Sequence, residues 1–322
     1  RLQGLGSNLD LPVGGLQKLL GHLATGNSAY ISQRGAMKLQ ELVSDPTSSA
    51  ARASRATYKL NLESRGAQGH WLSGKLLRDG ARVGWVGLGT DNGTFVRSAW
   101  IPAQGRALSV ANVSQVLGRR RPLAMAAGSY VTSQTRTSGL AVAGGEVINF
   151  AADARMDGLV LIHRGGLSIQ DLREGLLLPG ESDRLDILAD LSDYQHFVSW
   201  ARKERASCFQ THLLAMDGDL ALDPAKASPE PRERRLLATI RRGKERGVAL
   251  IDLPASPRPT SIAEAGVIGL ESLKSAGWEV QGLANLDVGS FNILTATDGT
   301  RVQDIGPLPP ERAHNLVVLY ER

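Results

Sequence analysis

Apolar and polar positions alternate from Tyr58 onward in a way that predicts strands. Tyr58 to Glu63 reads apolar-polar throughout, as a half-buried strand should. Arg82 to Leu88 and Thr94 to Ile101 follow, joined through the turn residues Asp91, Asn92 and Gly93. Further strands are expected at Leu123–Ala126, Gly139–Ala143 (turning at Gly144 and Gly145), Leu159–His163, Leu213–Met216, Arg234–Ile240 and Gly247–Leu253. The last three fall at Leu283–Asp287, Phe291–Thr295 and Leu316–Tyr320. Apolar residues at helical spacing predict helices over Ser109–Leu117, Asp193–Arg205 and Ser261–Ser275. Ser109 is the N-cap of the first, and Gly277 stops the last.

Residues 1–50 differ from the rest. Leucines after Pro12, and Ile31, Met37, Leu39 and Leu42, recur at helical spacing, and the small polar stretch Ser44–Ser54 reads as a linker. The expected organisation is a helical N-terminal extension over 1–50 and one domain over 51–322. Strands and helices mix without strict alternation. This predicts an α+β fold, with a mixed, largely antiparallel sheet packed with helices.

Composition narrows the function without choosing it. The hydrophobic and charged fractions, 42% and 21%, are those of an ordinary globular protein. A net charge of +5 suits anionic ligands such as phosphodiesters, anionic polymers or membrane surfaces. The single cysteine, Cys208, excludes an intrachain disulfide, and its apolar context reads as a buried structural thiol. No apolar run is long enough to span a bilayer, so no integral membrane segment is expected. The chain begins at Arg1 rather than Met, as a processed N-terminus would.

Several chemistries are disfavoured by what is missing. The histidines form no pair at ligand spacing, so no zinc site is expected. There is no Gly-x-Ser-x-Gly elbow for a hydrolase nucleophile. Gly84 to Gly89 lacks the strand, turn and helix order of a nucleotide loop. The arginines permit nucleic-acid binding, but the aromatic interleaving of a single-strand platform is absent, so nucleic acid is not the expected partner.

The richest stretch is Leu283-Ala-Asn-Leu-Asp-Val-Gly-Ser290. A strand ending Asn285-Leu286-Asp287 sends the amide and the carboxyl to one face, and Gly289 then permits a tight turn. This segment resembles the Asn-Leu-Asp-Gly-Gly-Ser signature of the phosphodiester glycosidase family. Cys208–Gly218 resembles that family's Gln-Ser-Gly-Pro element, and Arg234–Ile240 an Arg leading into a strand. Ala124–Tyr130 lies where the family has Ala-Ile-Asn-Gly-Gly-Phe-Phe, and Ser138–Gly145 resembles the following Gly-Leu strand and turn. The series runs in order over about residues 105–320. Departures are Ala126 for the family's Asn, Ser129-Tyr130 for its aromatic pair, Thr211-His212 for Gly-Pro, and Val288 for a Gly.

The resemblance implies a hydrolase of sugar-1-phosphodiesters or a related exopolysaccharide linkage, acting outside the cytoplasm on a carbohydrate or sugar-phosphate substrate. It implies Asp287, Asn285 and Arg235 as catalytic residues. Gln210, His212, Gly128, Gly289, Ser290 and Arg234 would contact substrate. Asp287 could instead bind a hard cation, which makes calcium the one cofactor to consider. Loss of the Asn at Ala126 leaves a second expectation open, a catalytically inactive relative that binds anionic glycans or serves in envelope assembly.

Overall fold

A computed structural model describes residues 48–132, 136–223, 230–288, 292–298 and 301–322. Helix α1 (Ser49–Ser54) precedes β1 (Tyr58–Gly66), β2 (Trp71–Arg78), β3 (Ala81–Thr90) and β4 (Val96–Pro102). Helix α2 (Val110–Val116) leads to β5 (Pro122–Ala127), β6 (Ala141–Ala143), β7 (Glu146–Asn149), β8 (Gly158–His163) and β9 (Gly166–Asp171). After β10 (Leu176–Leu177) and β11 (Arg184–Leu185) come α3 (Leu191–Glu204), β12 (Ser207–Met216) and β13 (Asp219–Leu220). The chain continues through β14 (Arg234–Arg242), β15 (Glu245–Leu253), α4 (Ile262–Ser275) and β16 (Glu279–Leu286). It closes with β17 (Leu294–Thr297), β18 (Val302–Asp304) and β19 (Asn315–Glu321).

Two sheets carry the molecule. The larger runs β1-β2-β3-β15-β14-β16-β12-β6-β7, with β8 and β9 also attached through β12, and the smaller runs β18-β17-β5-β19-β4. The ladders that join these strands are antiparallel.

Side-chain alternation explains how they stack. Leu237, Ala284 and Leu286 of the larger sheet pack with Leu123, Ala126, Val317 and Leu319 of the smaller. Trp100 and Phe209 meet across this layer with ring centroids 5.5 Å apart. The opposite face of the larger sheet presents Leu236, Ala238, Ile240 and Leu283 to α4 and to Ala50 and Ala53 of α1. Helix α2 covers the outer face of the smaller sheet with Val113, against Met125 and Val318.

The α+β expectation is therefore overturned. Of the described residues 47% are strand and 18% helix, so the fold is dominated by antiparallel sheet and its four short helices only cap outer faces. Two whole strands, β2 and β9, carry weak sequence signals. In β2, Gly74 interrupts the apolar run, because any Cβ there would lie 1.9 Å from the Asn61 carbonyl oxygen.

The expected helices of the extension lie outside the described residues. The expected linker instead contains α1, which begins because Ser48 caps it, its hydroxyl accepting from the Ala51 N–H at 3.0 Å. Ser109 and Ser261 cap α2 and α4 in the same way.

Candidate functional site

The carboxyl end of β16 is where the two sheets are tied together by the segment leaving β5. Gly128, Ser129 and Tyr130 leave the smaller sheet and cross to the larger, where the Asp287 N–H donates to the Gly128 carbonyl at 3.0 Å. Asn315 anchors the crossing. Its Oδ1 accepts from Trp100 Nε1 at 3.0 Å and from the Ser129 N–H at 2.8 Å, and its Nδ2 donates to the Ser129 carbonyl at 3.0 Å. Gly128 is required by space, since a Cβ would sit 2.9 Å from both Asn315 Oδ1 and Val317 Cγ2.

Tyr130 is the hub of the site. The Asn285 amide donates to its hydroxyl. Its ring meets the His212 imidazole edge-on, with centroids 5.3 Å apart and planes at 79°. His212 lies directly opposite Asn285 in the β12–β16 ladder, so both side chains share one face. Burial raises the Tyr130 phenol well above its ordinary range, so it stays a neutral hydrogen-bonding group. Burial also pushes the His212 imidazole below its ordinary range, against the opposing hydrogen bond to the Arg155 backbone.

Asp287 supplies the titrating group. Burial raises its carboxyl to about 7, and the opposing N–H bonds from Val288 and Val131 and the Arg235 charge only partly offset this. The acid and base forms thus coexist near neutrality, which is the condition for proton transfer at working pH. One end of the Asn285 side-chain amide is buried without a partner, as is the Ser129 hydroxyl. Both are hydrogen-bonding capacity that the protein leaves unused.

The two neighbouring arginines separate by strand alternation. Arg234 shares the face of Leu236 and Asn285, and Arg235 that of Leu237. Arg234 is buried and held by carbonyls alone, donating to Thr260 O at 3.1 Å and Glu230 O at 2.8 Å. Burial lowers it to about 10, so it remains a cation without a carboxylate partner in those bonds, within electrostatic reach of Tyr130.

Arg235, 1% exposed, bonds inside the protein through its two terminal nitrogens and leaves its Nε without a partner. It donates to Asp252 Oδ1 at 2.6 Å, to Asn292 Oδ1 at 2.8 Å and to the Ile293 carbonyl at 2.6 Å. Gln210 is spent inside the protein. Its Oε1 accepts from the N–H groups of Leu140 and Asp153, and its Nε2 donates to the carbonyls of Asp153 and Met156. It pins two loops together and has no bond left for a ligand.

The structure thus gathers Asn285, His212 and Arg234 about Tyr130 and ties Asp287 to Gly128. Gln210 is turned inward, and Arg235 is bonded inward while its charge still reaches Asp287. Gly289 and Ser290 lie outside the described residues. Ala126 is buried in β5 opposite Leu294 and Val317, within the layer between the sheets.

Tyr130 was not among the expected site residues. Its position two residues after Gly128, where the resembled family carries an aromatic, was the available signal. A calcium site at Asp287 does not fit, because its electrostatic neighbour is the Arg235 cation and its hydrogen bonds come from N–H donors. Cys208 is buried and its thiol is pushed up to about 12, an unreactive structural residue. Among the described residues no helix is long and apolar enough to cross a membrane.

No protein-family model and no curated protein sequence matches the chain. Solved structures do. A hypothetical protein from Synechocystis superposes with a TM-score of 0.50 at 12% identity, over 78% of this chain and 62% of that one. The chain therefore spans less than two thirds of that relative's length. The zebrafish N-acetylglucosamine-1-phosphodiester alpha-N-acetylglucosaminidase catalytic domain, auto-inhibited by its pro-peptide, superposes with a TM-score of 0.46 at 12% identity, over 83% of each chain. A protein from Burkholderia pseudomallei gives 0.42 at 11% identity, over 73% of this chain and 74% of that one. At these identities the likeness is one of fold, and it makes this chain a distant structural neighbour of the three.

Proposed function

We propose that this protein is an extracytoplasmic hydrolase of sugar-1-phosphodiesters or a related phosphate-linked glycan, with Asp287 as the proton-transferring carboxyl. The observation that carries the reading is the gathering of a buried carboxyl, Asp287, with Tyr130, Asn285 and His212 where the Gly128–Tyr130 segment crosses to the end of β16, a setting whose burial raises that carboxyl.

In its ionised form Asp287 takes a proton from water as the water oxygen attacks the anomeric carbon. The anomeric carbon–oxygen bond breaks in the same oxocarbenium-like step, and the phosphate leaves with the electron pair. A phosphate leaving group needs little protonation if a cation stands by it, and Arg234 supplies a charge whose donors are not taken by a carboxylate. The free end of the Asn285 amide and the Tyr130 hydroxyl then contact sugar hydroxyls.

A second reading, an inactive relative that binds anionic glycans, is favoured by one observation: Arg235 is committed to Asp252. Turnover of a series of chromogenic sugar-1-phosphodiesters by wild type and Asp287→Asn separates the two. Loss of about 10²–10⁴-fold in kcat by a folded variant is expected. A wild-type protein that binds the phosphodiesters but turns none over would leave the binding reading in place.

A further inference from the structure

A second cluster lies at the far end of the β14–β15 hairpin. Arg234 opens β14 beside the Asp287 site, and Glu245 begins β15 at the hairpin tip, opposite Arg242. A nine-residue strand separates the two ends by roughly 25 Å. At the tip, one ring nitrogen of His70 and one carboxylate oxygen each from Asp91 and Glu245 lie within 4.8 Å of one another. The three residues are the one before β2, the one after β3 and the first of β15, so chain spacing does not reveal them.

The cluster is pre-oriented. The His70 ring stacks on Phe95 at 4.0 Å with planes 9° apart, which fixes its plane. Asp91 adopts a left-handed backbone (φ 51°) that its N–H secures by donating to the Arg246 carbonyl at 2.6 Å. Arg242 donates to one Glu245 oxygen at 2.9 Å and lies over the Trp278 ring at 4.3 Å, so it orients that carboxylate and takes one of its two oxygens.

We infer that His70, Asp91 and Glu245 form a binding site for a divalent first-row transition ion, zinc foremost. Ligand atoms about 2.0 Å from a tetrahedral zinc are about 3.3 Å apart, and His70 Nδ1 stands 3.4 Å from Asp91 Oδ2. The same nitrogen is 2.9 Å from the Thr90 hydroxyl, a hydrogen bond that the metal would replace. The half-exposed Glu245 side chain closes the third edge by a small movement. An imidazole with two carboxylates matches zinc, cobalt or manganese rather than calcium, which takes oxygen alone. Three protein ligands leave a coordination position open. His70 and Glu245 also line a cavity of about 340 Å³ walled by Leu62, Leu88 and Trp278, into which that position could open.

The test is calorimetric titration of Zn²⁺, with Co²⁺ absorption as a second readout, on chelator-treated full-length protein. One equivalent should bind with micromolar or tighter affinity. Glu245→Gln, close to isosteric and able to keep its contact with Arg242, should weaken binding by at least about tenfold with an unchanged Tm in the absence of metal. His70→Ala should abolish the Co²⁺ band, and Ca²⁺ should not compete. Absence of stoichiometric Zn²⁺ binding, or binding that Glu245→Gln leaves unchanged, would reduce the cluster to an ion pair and overturn the assignment.

Discussion

Asp287 is held at a cost to stability, and the sign of that cost can be measured. Its folded carboxyl titrates near 7 against 3.8 for the ordinary group. The native state therefore holds a proton that the unfolded chain has released between those values, and stability falls as pH rises through that window. At 1.36 kcal/mol per pH unit the full cost is on the order of 4 kcal/mol above pH 7. Asp287→Asn should accordingly raise the Tm at pH 8, with the gain shrinking as the pH is lowered from 7 to 4. A gain that did not change with pH would mean that the carboxyl is not displaced.

Arg235 tests the opposite case. Arg235→Gln leaves Asp252 with no guanidinium in a setting where the arginine is 1% exposed, and should cost about 3–5 kcal/mol in denaturant unfolding. A loss of turnover without that destabilisation would return Arg235 to the chemistry.

At the scale of elements, the Gly128–Tyr130 crossing decides whether the site is assembled. Asn315 makes its three bonds to Trp100 and Ser129 from the first residue of β19. Asn315→Ala removes them together and strands two buried donors, each costing about 1–3 kcal/mol. The expected result is a lower Tm with faster hydrogen exchange at Ser129 and Tyr130. Unchanged exchange there would show that the crossing is held by other contacts.

Elements were also the most legible level of the sequence. Ser109 and Ser261 mark helix starts because capping is settled within four residues. Alternation put Asn285 on one face of its strand, where His212 meets it. The roles of Gln210 and Arg235 were not legible. What consumes their side chains lies 57 and 17 residues away, at Asp153 and Asp252. Local pattern carries no information about partners at that distance.

For the whole molecule, antiparallel sheet packed on sheet replaces the expected helix-packed arrangement. Interior strands such as β5, buried at every position, have no polar face, so their sequence marks a strand without showing which layer each face meets. The composition could not show that such runs stack into two layers, with helices left to cap the outside. That stacking is what brings Gly128 from one sheet to Asp287 on the other, so the site is a property of the assembled layers.

The most direct test of this account is the pH dependence of kcat/KM for a chromogenic sugar-1-phosphodiester. If the ionised Asp287 carboxyl does the work, the rate rises with pH, is half-maximal near pH 7 and then levels, and Asp287→Asn abolishes the rise along with the activity. A profile flat from about pH 5 to 8, or an equally active Asp287→Asn protein, would contradict it.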